Sequence, residues 1–479
     1  MPMSMPVPSV KQYISERNGK KYRVAPSVRG NVAAVFAFYC EKVFELSLAV
    51  TTETAGIVFA TASGMEREEY IIKAESGHVT VLSSDAAGAN RGAAALLQLL
   101  SELDGDLLIA DTYISDAPDN PWRGLMVDVA RQWYPFETLL EYVDLCWLCR
   151  LETLHLHFAD DQGYRLPSAA YPGLPSEKHY TEWQIRTLEQ YAAARSIEIM
   201  PEIEFPGHAK YLTVGAPEAF GSYENPAHHH LVCMGNPALL SHFNRLLSEV
   251  CEWFPHATRI HFGGDEAFIE HWEQCEACRQ AMAREKLDSV KAAYSYWICR
   301  AAECVLALGR TPVVWEGFPK EGSANIPRST VVMVFESLYQ TAPELIEGGF
   351  PVVNASWKPL YIVPELKTHP SLKWNEADVY EWDKTVWKNW VASSKAYEKP
   401  IVVDGKERAS IRGGEMCIWD CKPEEGWSML VERVVAFAEK CWNDKTKLPY
   451  REFFESGACL RAFIETCAQK SKDHKENSN

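Results

Sequence analysis

Short hydrophobic runs alternate with longer amphipathic segments between residues 122 and 442. Eight runs have the length of β-strands: 124–130, 153–159, 197–204, 259–264, 311–316, 330–336, 351–356 and 414–419. Segments with apolar residues at helical spacing lie between or after them: 136–150, 181–196, 237–253, 289–308, 342–347 and 427–442. Eight strand and helix units over at least about 250 residues are typical of one α/β fold. We therefore predict a (β/α)8 TIM barrel.

Polar residues collect at the ends of these predicted strands: Asp160 and Asp161, Glu202 and Glu204, Asp265 and Glu266, Trp315 and Glu316, Trp419 and Asp420. In a barrel the C-terminal ends of all strands open at one mouth, where active sites form. We expect these residues to share one pocket. A doubly wound open sheet is the alternative, and it ranks second because no glycine-rich phosphate loop follows an early strand.

The pattern before residue 116 is different. Residues 69–74 and 79–82 have strand-like alternation, and 88–103 have helical spacing. The segment 115–121 reads SDAPDNP, and its prolines and Asp or Asn residues favour a linker. We divide the chain into a small α+β domain (1–118), a catalytic barrel (119–445) and a C-terminal helix with a polar tail (446–479).

Composition and charge narrow the function. The chain is 47% hydrophobic and 24% charged, as in ordinary globular proteins. Its net charge of −17 disfavours nucleic acid and anionic membranes as partners. We see no apolar stretch of bilayer length and no secretory signal pattern at the start, so we expect a cytoplasmic protein. The sequence leaves the oligomeric state open.

Many of the fourteen cysteines lie in apolar segments, so we expect reduced thiols. Cys275 and Cys278 form a CxxC motif, but no second pair follows at zinc-type spacing. We therefore predict no metal and no other cofactor. A metal-dependent barrel hydrolase using His155, His157 and the histidines at 228–230 stays open as a minor alternative.

Four motifs carry the chemistry: WRGLMVDVAR (122–131), HLHFADDQGYR (155–165), PEIEFPGH (201–208) and RIHFGGDEA (259–267). Paired glycines let the backbone approach a ligand closely, and adjacent carboxylates can be held in different protonation states. In this order, the four motifs closely resemble glycoside hydrolase family 20, the β-N-acetylhexosaminidases. The resemblance covers roughly residues 69–442.

This resemblance implies a retaining exo-glycosidase that removes terminal β-linked GlcNAc or GalNAc from glycans or glycoconjugates. The substrate's own 2-acetamido carbonyl would attack the anomeric carbon and form an oxazolinium intermediate. Glu266 would act as acid and then base, whereas ionised Asp265 would orient the acetamido group.

The resemblance also implies supporting residues. Asp160 and His208 would support protonation of the acid, and Arg131 would bind sugar hydroxyls. Five further residues would bind the acetamido group or the sugar: Trp315, Tyr361, Trp357, Trp419 and Asp420.

Three positions depart from the family pattern. Phe335 replaces a common tryptophan, and Val363 and Cys421 stand where carboxylates that contact the 4- and 6-hydroxyls are expected. The preference between GlcNAc and GalNAc, and strict exo action, therefore stay open. We hypothesise a pocket that tolerates a substituted sugar or disaccharide, as in lacto-N-biosidase-like relatives. An aromatic insertion would line an outer subsite or serve packing: Trp374, Trp382, Trp387 and Trp390.

Two other functions stay open. One is a carbohydrate-binding barrel without activity, which would bind saccharides without turnover. The other is a retaining glycosidase that pairs Glu266 with an enzyme nucleophile such as Glu202 or Glu316.

Overall fold

The computed structural model describes residues 5–15, 20–221, 229–364, 374–445 and 448–476. The N-terminal part has a mixed seven-stranded sheet, in spatial order Gln12–Ser15, Thr112–Asp116, Tyr70–Glu75, His78–Ser83, Ile57–Thr61, Ser27–Arg29 and Ala49–Val50. A second sheet has the order Lys21–Val24, Asp106–Ala110 and Ser101–Leu103. The helices here are Ala33–Phe44 and Ala86–Leu99. This arrangement confirms the predicted small domain of mixed α and β structure.

The helix Ala86–Leu99 begins and ends for local reasons. The Asp85 side chain accepts the N–H of Gly88 at 2.6 Å and caps the first turn. The prediction of helix to residue 103 is wrong at its end. Leu100 is extended, and Ser101–Leu103 pairs antiparallel with Asp106–Ala110 around a tight turn.

Eight parallel strands form the closed barrel: Trp122–Asp128, Thr153–Asp160, Glu198–Ile203, Arg259–His261, Thr311–Trp315, Val331–Val334, Val352–Asn354 and Ile411–Ile418. The first strand pairs with the eighth from Trp122 opposite Gly413 to Val127 opposite Ile418, which closes the ring. The predicted barrel is confirmed. Because both faces of these strands are covered, they appear in the sequence as continuous apolar runs.

The fourth strand is shorter than predicted. It ends at His261 instead of Gly264, because Gly263 and Gly264 adopt left-handed conformations with φ of 69° and 92°. The third strand, Glu198–Ile203, pairs with it only at Glu202 opposite His261. This early end leaves the following residues as a loop at the barrel mouth.

The main helices that pack around the barrel are Phe136–Leu148, Glu182–Ala194, Leu239–Trp253, Val290–Ala307, Pro423–Val431 and Val434–Trp442. The helix Glu182–Ala194 begins with a capping box, in which Thr181 and Gln184 bond each other's backbone N–H. The predicted helix 427–442 is wrong as a single element, since Arg433 is non-helical (φ −127°, ψ −29°) between two helices.

Shorter elements occupy the connections. They are the helices Lys210–Gly215, Pro217–Phe220, Glu270–Gln274, Glu276–Arg284, Ala342–Glu347, Trp357–Leu360, Glu376–Tyr380 and Tyr450–Ser456, the 3₁₀ turns Ser323–Asn325 and Gly405–Ser410, and the strands Gly163–Tyr164, Tyr361–Ile362, Val386–Trp387 and Ile401–Val402. Tyr361–Ile362 pairs with the end of the eighth barrel strand, which brings Tyr361 to the mouth.

The C-terminal helix Ala458–Glu476 joins the predicted parts. Phe463 packs edge-on against Phe44 of the N-terminal part at 5.7 Å between ring centroids. Buried apolar residues of all three parts belong to one cluster. The division into three domains therefore stays a prediction. Within the described ranges, no helix combines the length and the apolar character needed to cross a membrane.

A buried ion cluster ties the N-terminal part to the first barrel strand. One carboxylate oxygen of Glu68 contacts Arg91 Nε at 3.0 Å and also contacts Arg123 Nη2. All three residues are at most 4% exposed. Burial raises the pKa of Glu68, but Arg123 and Arg91 outweigh burial and lower this pKa to about 2.

Replacing Glu68 by Gln should destabilise the protein by about 3 to 5 kcal/mol, because two buried guanidinium groups lose their counter-charge. The stabilisation by Glu68 should be complete above its ordinary pKa of 4.5 and should disappear as the pH falls toward 2. Urea unfolding at several pH values measures both effects. Glu53→Gln, at an exposed position, is the control; equal stability losses in the two variants would contradict the assignment.

Candidate active site

The second barrel strand ends at Asp160, whose buried carboxylate contacts three cationic side chains. Asp160 Oδ2 lies 2.6 Å from Arg131 Nη2 and 3.0 Å from His157 Nε2, and Oδ1 lies 3.3 Å from His208 Nδ1. Burial acts to raise the pKa of Asp160, but the hydrogen bonds of His157 and His208 hold this pKa far below its ordinary value. Asp160 is therefore an anion that orients the other three side chains.

His208 connects Asp160 to the loop after the fourth strand, which carries Asp265 and Glu266. Its other ring nitrogen, Nε2, lies 3.2 Å from Glu266 Oε2. Burial acts to lower the pKa of His208, but its contacts with Asp160 and Glu266 raise the pKa well above the ordinary value. The structure thus brings together three of the predicted site residues in one hydrogen-bonded row.

Asp265 and Glu266 are in different environments. Asp265 is 9% exposed, and its Oδ1 accepts no hydrogen bond from any described residue. Burial, joined by the charges of Glu266 and Glu202 and opposed by His208, raises the pKa of Asp265 to about 7. The Glu266 side chain is 54% exposed, and its hydrogen bond with His208 lowers its pKa.

These pKa directions are opposite to the protonation expected for catalysis, in which Asp265 is ionised and Glu266 carries the proton. The physical reason is the surroundings of each group. Asp265 is buried without a donor on Oδ1, whereas Glu266 faces solvent beside a protonated imidazole. The opposite pKa shifts therefore favour Asp265 over Glu266 as the protonated member of the pair in this structure.

The two glycines before the pair are required by close packing. A Cβ atom on Gly263 would lie 1.7 Å from Glu204 Oε2, and one on Gly264 would lie 2.2 Å from Val314 Cγ2. Burial, together with the charges of Asp265 and Glu202, raises the pKa of Glu204 well above its ordinary value. These surroundings favour the neutral form of Glu204, which limits the negative charge beside Asp265.

Arg131 is fixed from two sides by carboxylates. Besides Asp160, its guanidinium contacts Asp128 Oδ2 at 3.2 Å, and Asp128 Oδ1 accepts the backbone N–H of Arg131 at 2.9 Å. The guanidinium also lies over the Trp419 ring, 5.0 Å from the centroid. Its side chain is 20% exposed and therefore still faces the mouth.

Aromatic rings surround the space beside Asp265. Trp315 lies 5.7 Å from Trp419 and 5.5 Å from Phe335 between ring centroids, and Tyr361 lies 6.0 Å from Trp419. Trp357 packs on Tyr361 at 4.6 Å. Phe335, which replaces the expected tryptophan, thus belongs to the apolar wall. These rings form one aromatic cluster at the ends of barrel strands, and we call the part of the mouth that they border the aromatic pocket.

The floor of the pocket is a network that the sequence did not reveal. Glu202 accepts the Trp315 indole N–H at 2.5 Å and contacts His155 at 3.2 Å, His261 at 2.8 Å and His157. Burial acts to raise the pKa of Glu202, but the three imidazoles hold it well below its ordinary value. The period-two spacing of His155 and His157 was the available signal, since it places both side chains on one face of the strand.

Glu316 has a structural role. Its carboxylate accepts backbone N–H groups of Ser337, Tyr339 and Gln340 at 2.8 to 2.9 Å, and burial raises its pKa to about 8. These bonds fix the loop after the sixth strand.

Glu336, on that loop, is a candidate site residue that was not predicted from the sequence. It is half-buried, and burial with the charges of Glu266 and Asp265 raises its pKa to about 7. Its position at the end of the sixth predicted strand was the signal available in the sequence.

The end of the eighth strand differs from expectation. Asp420 is exposed, adopts a left-handed conformation (φ 56°), and accepts a hydrogen bond from Gln132 Nε2 at 3.2 Å. Cys421 is fully buried, and its backbone carbonyl accepts the Tyr134 hydroxyl at 3.0 Å. Asp420 therefore provides the carboxylate at this edge of the mouth. Val363 packs against the aromatic cluster.

Other candidate residues have structural contacts. Asp161 contacts His230 Nδ1 at 2.5 Å and accepts the backbone N–H of Lys210 at 3.0 Å, so it fixes a loop and does not share the role of Asp160. His228 lies outside the described residues. Histidine and carboxylate atoms near Glu202 are close enough to bind a metal, but the same atoms already make direct hydrogen bonds to each other.

The aromatic insertion is divided between packing and the mouth. Trp387 donates to the carbonyl of Val334 at 3.2 Å, and buried Trp382 lies against Gly414. Both therefore serve packing. Trp390 contacts Trp357 at 5.5 Å, next to the pocket. Trp374 lies under the Lys358 ammonium group.

Comparison with known proteins agrees with this geometry. The catalytic-domain model of glycosyl hydrolase family 20 matches residues 120–445. A beta-hexosaminidase of Akkermansia muciniphila is 29% identical over 432 residues, which cover 84% of each chain. Beta-hexosaminidase subunit beta of Mus musculus is 25% identical and covers 84% of this chain and 73% of its own.

A solved structure extends the agreement to the fold. The β-N-acetylhexosaminidase of Bacteroides fragilis aligns with a TM-score of 0.80 at 20% identity, covering 97% of this chain and 96% of its own. The catalytic model spans more than half of the chain and includes every strand of the barrel. The chain belongs to glycosyl hydrolase family 20.

Proposed function

We propose that this glycoside hydrolase is a retaining exo-β-N-acetylhexosaminidase that uses its substrate's 2-acetamido group as the nucleophile. The observation that carries the proposal is the row Asp160, His208 and Glu266 beside buried Asp265, at the edge of the aromatic pocket. In this proposal the aromatic rings enclose the acetamido methyl, and the Tyr361 hydroxyl donates a hydrogen bond to the acetamido carbonyl oxygen.

The proposed reaction has two steps, formation of a cyclic intermediate and its hydrolysis. The acetamido oxygen attacks the anomeric carbon, the glycosidic C–O bond breaks, and Glu266 donates a proton to the departing oxygen. An oxazolinium ion forms, and Asp265 stabilises its positive charge by accepting the N–H. Glu266 then removes a proton from water, which adds to the anomeric carbon and opens the ring with net retention.

Substrate binding would move the shared proton to Glu266. The acetamido N–H supplies the donor that Asp265 Oδ1 lacks among the described residues, which lowers the pKa of Asp265. The sugar and its leaving group cover the exposed face of Glu266, and loss of water raises its pKa. The opposite pKa directions in this structure are thus compatible with the proposed roles.

An enzyme nucleophile has less support. Glu202 is fully buried and is bonded to three imidazoles and an indole N–H. Glu316 is bonded to backbone N–H groups of the following loop. Neither carboxylate is placed to move to an anomeric carbon. Measuring substrate turnover distinguishes the proposed enzyme from a carbohydrate-binding protein without activity.

We further propose that Glu336 and Asp420 bind sugar hydroxyls in place of the carboxylates missing at Val363 and Cys421. Glu336 shares the mouth with Asp265 and Glu266, and its side chain accepts no hydrogen bond from any described residue. Asp420 lies on the side of Arg131, where its backbone N–H donates to Asp128 at 3.1 Å. A carboxylate on each side of the mouth suits the hydroxyls of a terminal sugar.

The first test compares nitrophenyl β-glycosides of GlcNAc, GalNAc and glucose. Cleavage should be restricted to the acetamido sugars and should be inhibited by a thiazoline mimic of the intermediate. Asp265→Asn and Glu266→Gln should each lower kcat/KM by about 10² to 10⁴. Exposed Glu270 provides the matched control, Glu270→Gln. Equal cleavage of the glucoside, or an undiminished Asp265→Asn, would indicate an enzyme nucleophile.

The dependence of kcat/KM on pH should be bell-shaped, because the Asp265 and Glu266 pair must hold one proton. The acid limb should lie below 4.5, where Glu266 titrates, and the alkaline limb near pH 7, where Asp265 titrates. In His208→Asn the acid limb should move upward, since Glu266 loses the protonated imidazole. His230→Asn is the control, and an unchanged limb in His208→Asn would refute the contact as its cause.

Glu336→Gln should lower kcat/KM for the nitrophenyl GlcNAc substrate by about tenfold, mainly through a higher KM, because a charged hydrogen bond to the sugar is lost. Steady-state kinetics measure the two constants separately. The same change in Glu270→Gln, or a loss confined to kcat, would exclude a binding role for Glu336.

A further inference from the structure

Three cysteines from two distant segments meet beside the active-site loops. Cys233 Sγ lies 3.9 Å from Cys275 Sγ and 3.7 Å from Cys278 Sγ, and all three sulfurs lie within 4.8 Å of one another. The sequence pattern indicated only the CxxC pair, because Cys233 lies 42 residues before Cys275 and belongs to no motif with it. None of the three forms a disulfide.

The spacing of the sulfurs suits a tetrahedral ion. Zinc binds thiolate sulfur at about 2.3 Å, so two ligands of a tetrahedral zinc lie about 3.8 Å apart. A disulfide would instead need sulfurs about 2.05 Å apart. The distances of 3.7 and 3.9 Å therefore fit ligands around a cation.

The surroundings are those of a structural site. Cys233, Cys275 and Cys278 are 7%, 5% and 1% exposed, so the sulfurs are largely shielded from solvent while the cluster stays near the surface. Burial raises the pKa of the Cys275 thiol, and mutual contacts with Cys233 and burial raise that of Cys278. A bound divalent cation would reverse this preference, since it binds thiolates and releases their protons.

The cluster joins the two loops that carry His208 and Glu266. Cys233 follows a segment in which Val232 donates its N–H to the carbonyl of Pro206 at 3.0 Å, two residues before His208. The CxxC begins nine residues after Glu266, and between them the Trp272 indole donates to the carbonyl of Val232 at 3.0 Å. A link at this point fixes the distance between the two loops.

We propose that Cys233, Cys275 and Cys278 bind one zinc ion that holds these loops together. Each thiol loses its proton to the solvent, and the three thiolates become ligands with no change in oxidation state. Soft thiolate ligands select zinc over calcium and magnesium, which prefer oxygen. The ion is structural: it lies outside the acetamido pocket and takes no part in the bond changes.

Metal content of the purified wild-type protein is the direct test. Elemental analysis should find about one zinc per chain, because the three thiolates bind a single ion. Replacement with Co²⁺ should give thiolate-to-cobalt charge-transfer absorption and the visible bands of a tetrahedral site. Absence of zinc together with absence of these bands on adding Co²⁺ would overturn the proposal, and neither result depends on a variant folding or on activity.

Variants identify the ligands. Cys278→Ser should lose most of the zinc and the cobalt spectrum, whereas Cys459→Ser, at a partly buried cysteine of the C-terminal helix, should keep both. Chelation should lower the Tm of wild type and of Cys459→Ser, but should change that of Cys278→Ser little. Zinc retained in Cys278→Ser, or a disulfide from Cys233 to Cys275 or Cys278 in the non-reduced protein, would refute the site.

Discussion

The carboxylate of Asp160 is the interaction on which the active site depends, because three cationic side chains meet there. It fixes Arg131 at the mouth, orients His208 toward Glu266, and continues through His157 to the barrel floor. A buried anion of this kind is stable only while its partners are present, and its charge in turn helps to keep the His157 and His208 imidazoles protonated. The same network therefore fixes both the position of Glu266 and the charges around it.

The network also stabilises unfavourable backbone. His208, Glu266 and Asp420 adopt left-handed conformations, with φ of 48°, 42° and 56°. Each non-glycine residue in such a conformation costs about 1 to 3 kcal/mol, which surrounding contacts must offset. All three lie in the loops that follow barrel strands, where a sharp turn directs a side chain or backbone N–H toward the mouth. The regular barrel supplies the stability that offsets the cost of these three conformations at the mouth.

The sequence predicts the barrel because strands buried on both faces leave continuous apolar runs, and the row Asp160, His208 and Glu266 lies in recognisable motifs. It does not predict where the shared proton resides. That depends on the burial of Asp265 and the exposure of Glu266, which are fixed by contacts between distant segments. The third cysteine, Cys233, was missed for the same reason. The left-handed conformation of Asp420 and the burial of Cys421 after it were likewise not evident from the sequence.

Two of the three departures from the family pattern, Val363 and Cys421, fall where carboxylates that bind the 4- and 6-hydroxyls are expected, whereas Phe335 lies in the aromatic wall. In the proposed mechanism, bond cleavage depends on Asp265, Glu266 and their partners, and the row Asp160, His208 and Glu266 is linked by contacts of 3.3 and 3.2 Å, so one change disturbs the rest. In the same proposal, hydroxyl recognition depends on single carboxylates at the mouth, each held by its own loop. A carboxylate on a neighbouring loop, such as Glu336, can take over such a contact without disturbing the protonation of the catalytic pair. Changes in sugar preference are therefore compatible with unchanged chemistry in this barrel.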